Sequence, residues 1–480
     1  MSNQPVTRNF GHLPRRSRVL FPAVLAVLAG GTECAAACGS SGDNSLPGTG
    51  ADAQPTPLDA SSTDAFTSDS AITNDATPPS DSEPSDAFSP VDGNIDAFVG
   101  RPALPIVPSG GTVITSPTLV TILASNDAFL ATLPSFSDAI PSSQLWAQVS
   151  AEYGLGAIHS TTHLVGPSIA GTLTATQLSA YVSAVIAADA GPAPDGHTIY
   201  LVYLPDGALF ASPLDGDCGY HESYPSLATS LGDEFAVVRR CAPYAGTETQ
   251  LGALTRAATH EIIEAATDPL GRGYTLGETP TTSPWTASIW QSYASSGHVE
   301  LADLCEGSRM FEADDGGPEG GWEYERIWSN AAVLDGSAGP CIPAPSAPYF
   351  STAVANDWYA AVPGTTLSIP VGGWATGVTN DWLVKLQVVY AHGTGALGGV
   401  ADGGGDIVTG VVTPQPQGCT PRAGMSDGAQ GTIEIPIPSG VPSGDYAVVK
   451  MINFHEGATG CYSPLLEDDY DFSIFGVYVP

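Results

Sequence analysis

The chain has 480 residues and carries 50 acidic against 14 basic side chains, for a net charge of −36. Its only lysines are Lys385 and Lys450, which excludes a surface built to grip a phosphate backbone, so nucleic acid is not expected as a partner. Beyond the N-terminus no apolar run approaches membrane-spanning length, which confines any expected bilayer contact to the first residues.

Residues 1–38 read as a signal peptide. Arg8, Arg15, Arg16 and Arg18 form a basic leader, and the apolar run from Val19 to Ala29 is too short for a permanent span. Ala35-Ala36-Ala37-Cys38 followed by Gly39-Ser40-Ser41 has the form of a lipobox, with Ala35 where leucine is usual. Cys38 is therefore the expected lipidation site, giving a lipid-anchored envelope protein held to the membrane by its N-terminus. An ordinary cut after one of the alanines is the alternative and would give a secreted, soluble protein. Arg15-Arg16 leaves twin-arginine export open beside the general route. Cys38→Ala is expected to move the protein from the membrane fraction to the soluble fraction outside the cytoplasm. If wild type and variant both fractionate as soluble protein, there is no anchor.

Residues 39–101 read as a disordered acidic linker. From Gly39 to Val99 there are eleven acidic residues and no basic one, and the aromatics are isolated phenylalanines. Such a composition cannot bury enough apolar surface to offset chain entropy. A flexible segment of this length reaches on the order of 45 Å, enough to hold a folded body clear of a membrane.

Residues 102–344 alternate strand-like and helix-like segments, which predicts a mixed α/β domain. Thr112 to Ala124 is rich in β-branched residues, His197 to Leu204 and Phe235 to Arg239 read as buried strands, and Gln144 to Tyr153 reads as a helix. Thr174-Ala175-Thr176-Gln177 has the capping-box form ahead of Leu178, Tyr181, Val182 and Val185 at helical spacing. Residues 345–480 turn all β, with Thr365 to Val371, Trp382 to Ala391, Thr432 to Ile437, Tyr446 to Phe454 and Phe472 to Val479 as short strands. This predicts a β-sandwich of immunoglobulin-like type.

With Cys34 removed in the signal and Cys38 on lipid, six cysteines remain: Cys218, Cys241, Cys305, Cys341, Cys419 and Cys461. An even number in an exported chain predicts disulfides, and the three sequential pairs respect the domain boundary. No C-x-x-C spacing points to a cysteine metal site.

The chemistry is carried by one helix, expected to start at Thr247 with a capping box over Thr247 to Gln250 and to end at Asp268-Pro269. It contains His260-Glu261-Ile262-Ile263-Glu264. Residues four apart lie within about 40° around a helix axis, so His260 and Glu264 can face one ion, with Glu261 beside it. That is the disposition of H-E-x-x-H metallopeptidases, where two ligands hold zinc and the glutamate takes a proton from the attacking water. Here a carboxylate replaces the second histidine, which zinc accepts and other divalent ions accept as well. The bland reading is an exposed polar face on an amphipathic helix.

From about Thr115 to Pro343 the chain resembles the bacterial secreted proteins of the EXORDIUM-like, or phosphate-induced-protein-like, type with zincin-like features. The resemblance rests on ordered blocks. They are Gln148-Val149 with Glu152-Tyr153-Gly154, Ile199-Tyr200 with Tyr203 and Pro205, Cys218-Gly219-Tyr220-His221, and Val237-Val238 with Arg240-Cys241. Then come Ala258-Thr259-His260-Glu261 continuing to Glu264-Ala265 and Thr267-Asp268-Pro269, then Glu300 to Cys305, and finally Ile327-Trp328-Ser329-Asn330 with Pro340-Cys341. It implies a zincin-like α/β domain and a secreted, metal-dependent protein. The plant relatives are associated with growth and cell-wall behaviour without an established catalytic activity.

Further ligands must come from outside the helix. His221, in a polar loop beside a half-cystine, is the first choice. Asp303 and Glu300 follow, and Asp268 lies further along the helix. A lone histidine in a loop more often hydrogen-bonds locally, and Asp268 before Pro269 can simply end the helix. Glu312 to Gly321 lacks EF-hand spacing and reads as a solvent loop. Trp285, Trp290, Trp322 and Trp328 could stack on sugars or line a peptide groove, although core packing accounts for them more simply. Two functions are therefore expected. One is a metallohydrolase of peptidase type, with zinc on His260, Glu264, His221 and Asp303 and with Glu261 as base, acting on peptide or cell-wall polymer. The other is a non-catalytic surface or adhesion protein with a structural or vestigial metal site.

Overall fold

Strands buried along nearly their whole length must be covered on both faces, and Thr118–Ala124, Thr198–Tyr203 and Glu234–Val238 are of this kind. In the computed structural model they lie inside one five-stranded sheet. The structure describes residues 102 and 104–480 apart from 212–217, 224–233, 242, 244–247, 272, 278–284, 286–287, 295–298, 307–310, 314–321, 337–338, 346–347, 380–381, 395–396, 398–405, 408–410, 414–421 and 455–469. The leader with Cys38, the acidic linker up to Arg101, and Cys419 and Cys461 lie outside the described residues.

The sheet is built from β1 (Thr118–Ala124), β2 (Ser160–Gly166), β3 (Thr198–Tyr203), β4 (Gly219–Ser223) and β5 (Glu234–Val238), in the order β2-β1-β3-β5-β4. The first four in that order run parallel, and the edge strand β4 is antiparallel to β5. Side-chain alternation along β1 sorts the two faces. Leu119 and Leu123 join a core with Phe136, Trp146, Val149, Ala258 and Ile262, whereas Val120 and Ile122 join Leu178, Val182 and Val185 on the other side. The first group comes from helices α1 (Leu133–Ala139), α2 (Gln144–Tyr153) and α4 (Gln250–Thr267), the second from α3 (Ala175–Asp189). A mostly parallel sheet thus lies between two helical layers.

The local chemistry of the helix ends follows the sequence in two cases and departs from it in one. Ser143 caps α2 by accepting from the Trp146 amide, and Thr174 closes the expected capping box on α3 with Gln177. For α4 the cap is Thr249, whose hydroxyl accepts from the Gly252 amide, and not Thr247. Glu248, outside the helix, accepts from the Arg256 guanidinium at 3.0 Å. The far end falls where proline dictates, with Thr267 the last helical residue and Pro269 opening a short 3₁₀ turn.

The C-terminal region is β-rich. A sheet containing Phe350–Val354, Thr366–Ala375 and Gln430–Pro436 packs against one containing Trp382–His392, Tyr446–Phe454 and Tyr470–Tyr478. They share an apolar core that includes Phe350, Ile369, Ile433, Trp382, Met451 and Phe475. The pairing is antiparallel except where Trp358–Ala360 runs parallel to Tyr470–Tyr478.

Val448, Phe472 and Ile474 of this region belong to the same apolar cluster as Trp290, Tyr293 and Trp328. Trp285 stacks on Tyr478 with ring centroids 4.9 Å apart, and Lys450 Nζ sits 4.2 Å above the Phe472 ring. The tryptophans singled out from the sequence are thus packing residues: Trp290 lies against Trp328 and Phe472, and Trp322 meets Phe136 edge-on. A protease cut in residues 344–348 is therefore expected to leave two fragments that co-elute in native gel filtration and part only on denaturation. Separate elution without denaturant would show that this apolar contact is too weak to hold them.

Two of the expected disulfides are formed, Cys218–Cys241 and Cys305–Cys341. The first clamps the β4–β5 hairpin, and the second ties the turn after Asp303 to the strand Cys341–Ile342. Among the described residues no helix is long and apolar enough to cross a membrane.

Candidate metal centre

Helix α4 is buried almost throughout its length, and the burial includes its charges. Glu261, Glu264 and the capping Asp268 are 5, 4 and 1 % exposed. A carboxylate withdrawn from water to that degree must be met by hydrogen-bond donors or by a cation. The polar-surface reading of His260 and Glu264 is thereby overturned, because the face they share points into the protein.

Four segments converge on this face. From α4 come His260, Glu261 and Glu264, with His260 Nε2 3.0 Å from Glu264 Oε2 as the four-residue spacing requires. The edge strand β4 supplies His221. Alternation sends Tyr220 to the opposite side, against Phe210 and Phe235, and turns His221 toward the helix. His221 Nδ1 lies 3.5 Å from Glu261 Oε2 and 3.6 Å from Glu264 Oε2. Gly219 makes the approach possible, since a Cβ there would come within 2.4 Å of Glu261 Oε1.

The third segment is the turn at residues 299–305. Asp303 Oδ2 accepts from the amides of Val299 and Glu300 at 2.9 and 3.1 Å, which fixes the carboxylate and sets Oδ1 3.6 Å from His260 Nε2. The Asp303 amide donates to Glu264 Oε1 at 3.3 Å, so that Oε2 is the oxygen presented to both histidines. The fourth segment, following the strand Trp322–Tyr324, carries Glu325. Its amide donates to Thr259 Oγ1 at 2.9 Å, and its Oε2 lies 3.3 Å from both Arg256 Nη1 and His260 Nδ1.

Each histidine therefore has one nitrogen toward Glu264 and the other toward an outer carboxylate. Glu325 faces Nδ1 of His260, and Glu300 Oε2 lies 3.5 Å from Nε2 of His221. An outer carboxylate that takes the N–H of one ring nitrogen leaves the lone pair of the other aimed inward, as metal-ligating histidines are held. Asp268 Oδ2 and Glu325 Oε1 are buried with no hydrogen-bond partner among the described residues, and Glu300 Oε2 has only the 3.5 Å approach of His221 Nε2. Asp268 also accepts from the Gly273 amide, so it both ends the helix and adds charge to the cluster.

The electrostatics follow. Burial opposes charge on both imidazoles, yet the carboxylates outweigh it: Glu300, Glu261 and Glu264 raise His221 well above its ordinary value, and Glu264 and Glu325 do the same for His260. Burial likewise opposes ionisation of Glu264, but His260 and His221 hold it well below the carboxylate range. For Glu300 and Asp303, burial and the neighbouring negative charges act together and push both well above it. Without a cation the cluster thus retains protons that a bound cation would displace, and metal affinity should fall as pH falls.

Two triads present one donor atom per residue with all atoms of a triad within 4.8 Å of one another: His260, Glu264 and Asp303, and His221, Glu261 and Glu264. Ligands of a tetrahedral ion at about 2.0–2.1 Å lie about 3.4 Å apart, close to the 3.0–3.6 Å separations here. Imidazole nitrogen with carboxylate oxygen fits zinc and also manganese or iron.

His260, Glu261, Glu264, His221, Asp303 and Glu300 are brought together from the sequence candidates. Glu325 was not anticipated. It stands in the run Glu323-Tyr324-Glu325-Arg326 after an acidic, glycine-rich stretch, where nothing in the local sequence sets it apart. Residues 314–321 of the acidic loop lie outside the described residues. No protein-family model matches the chain, and no curated protein or solved structure matches it either, so the geometry of these residues carries the functional reading.

Proposed function

We propose that this chain is an exported, lipid-anchored metallohydrolase that cleaves peptide-like bonds at the α4 site. The observation that carries the reading is the His260–Glu264–Asp303 triad, in which His260 Nε2 lies 3.0 and 3.6 Å from the two carboxylates and all three donor atoms lie within 4.8 Å of one another, with Glu261 adjoining it on the same buried helix. The resemblance to EXORDIUM-like secreted proteins covers these same residues. An antiparallel edge strand beside the helix supports a zincin-like domain, and two sheets over one core support an immunoglobulin-like sandwich.

A divalent cation such as zinc, when bound there, would supply Lewis-acid chemistry and lower the pKa of a water molecule toward neutrality. The protein's own part is division of labour. His260, Glu264 and Asp303 would hold the ion, and Glu325 would keep the His260 ring in the ligating tautomer. Glu261 accepts the proton of the attacking water and returns it to the leaving nitrogen. Burial of the site strengthens each of these interactions.

The test is elemental analysis of the purified full-length protein together with hydrolysis of a broad peptide library. A stoichiometric divalent metal that is lost in His260→Ala, with cleavage by the wild type, is the expected outcome. Metal without cleavage would favour a static site in a surface or adhesion protein, and no metal at all would end the proposal.

A further inference from the structure

The second triad is not used by a single ion on His260, Glu264 and Asp303. We propose that the centre holds two divalent cations, the second on His221, Glu261 and Glu264, with Glu264 as the carboxylate they share. This rests on the metal-site reading above for the first ion.

Three observations carry it. The first is geometric. His221 Nδ1 stands 3.5 and 3.6 Å from the oxygens of Glu261 and Glu264, the spacing of ligands around an ion, and the two histidines fall in separate triads. Glu264 Oε2 is the atom that both histidines approach. The second concerns orientation. His221 Nε2 faces Glu300 Oε2 at 3.5 Å, as His260 Nδ1 faces Glu325 Oε2 at 3.3 Å. A histidine needed only to hydrogen-bond Glu261 would not need a second carboxylate behind it.

The third is charge. Arg256 is taken up by Glu248 and Glu325. Glu261, Glu264, Asp268, Glu300 and Asp303 remain, five buried or half-buried carboxylates around two imidazoles that are neutral when they ligate. One divalent cation leaves most of that charge to be neutralised by retained protons, whereas two nearly balance it, and unpaired buried charge is costly. Two-metal hydrolytic sites place their ions about 3.5–4 Å apart, a span one bridging carboxylate covers. Ligation through Oε2 leaves Glu261 its second oxygen for the proton.

The experiment strips the full-length protein with a chelator and reloads it with Zn²⁺ for elemental analysis, or with Mn²⁺ for electron paramagnetic resonance. Two Zn²⁺ per chain are expected, with a spin-coupled Mn²⁺ pair in place of isolated-ion spectra. Glu261→Gln and Asp303→Asn should each retain one ion, and the double variant none. Saturation of the wild type at one ion overturns the second site and leaves the proposed function standing, while no ion overturns both. Two ions persisting in Glu261→Gln, or two uncoupled Mn²⁺ ions, place the second cation elsewhere and overturn the inference. Because wild-type stoichiometry and coupling decide the matter, a misfolded variant does not obscure it.

Discussion

Glu261→Gln is expected to lower peptide hydrolysis by about 10²–10⁴-fold while an ion stays on His260, Glu264 and Asp303. The amide is close in shape to the carboxylate and keeps the packing against Gly219, but it cannot take a proton from water. On the transition-state scale this loss corresponds to about 3–5 kcal/mol. His260→Ala and Glu264→Ala act at an earlier step, because they delete donor atoms of the His260 triad. Glu264 should be the more severe, since its Oε2 meets both His221 and His260 while its Oε1 receives the Asp303 amide. Metal analysis beside activity separates the two effects. An inactive Glu261→Gln without any metal would assign Glu261 to ion holding alone, and full activity in Glu261→Gln would remove it from the chemistry.

How far the site was legible depended on whether its residues lie on one element or several. Within α4 the period of the helix was enough: His260 and Glu264 share a face because they are four apart, and their 3.0 Å contact is what that spacing produces. The strands Thr198–Tyr203 and Glu234–Val238 were legible for a similar reason, because apolar β-branched runs of that length have few alternatives. His221 could be suggested by its neighbours in sequence but not placed, since its direction depends on the alternation of an edge strand whose register is set by β5. Glu325 was invisible to local reasoning. It reaches His260 from 65 positions away in sequence through a contact between Thr259 and its own amide, and nothing in its surroundings announces a partner on another element. The helix start shows a different limit. Thr247 and Thr249 are both capping residues by type, so residue type alone does not choose between them, and the cap falls on Thr249 with Glu248 outside the helix against Arg256.

The second large effect is expected from the disulfide that stands behind Asp303. Cys305 and Cys341 close a loop with a sequence separation of 36, and chain entropy alone assigns such a cross-link about 4 kcal/mol. Cys305→Ser with Cys341→Ser should therefore lower the denaturant midpoint of the protein substantially. It should also do more than destabilise. Cys305 ends the one-turn 3₁₀ segment that Asp303 begins, and Asp303 holds its place through the amides of Val299 and Glu300 in the same short turn. Loosening the turn costs the site a ligand and the Glu264 Oε1 contact together. The corresponding double variant at Cys218 and Cys241 gives the comparison, because it frees the β4 strand that carries His221 and leaves Asp303 anchored. Measured under native conditions where both variants remain folded, weaker metal binding is expected in each, with the Cys305 and Cys341 variant losing the ion of the His260 triad. If both variants bind metal as tightly as the wild type while unfolding at lower denaturant, the disulfides stabilise the fold alone and the packing around α4 is sufficient to hold the ligands.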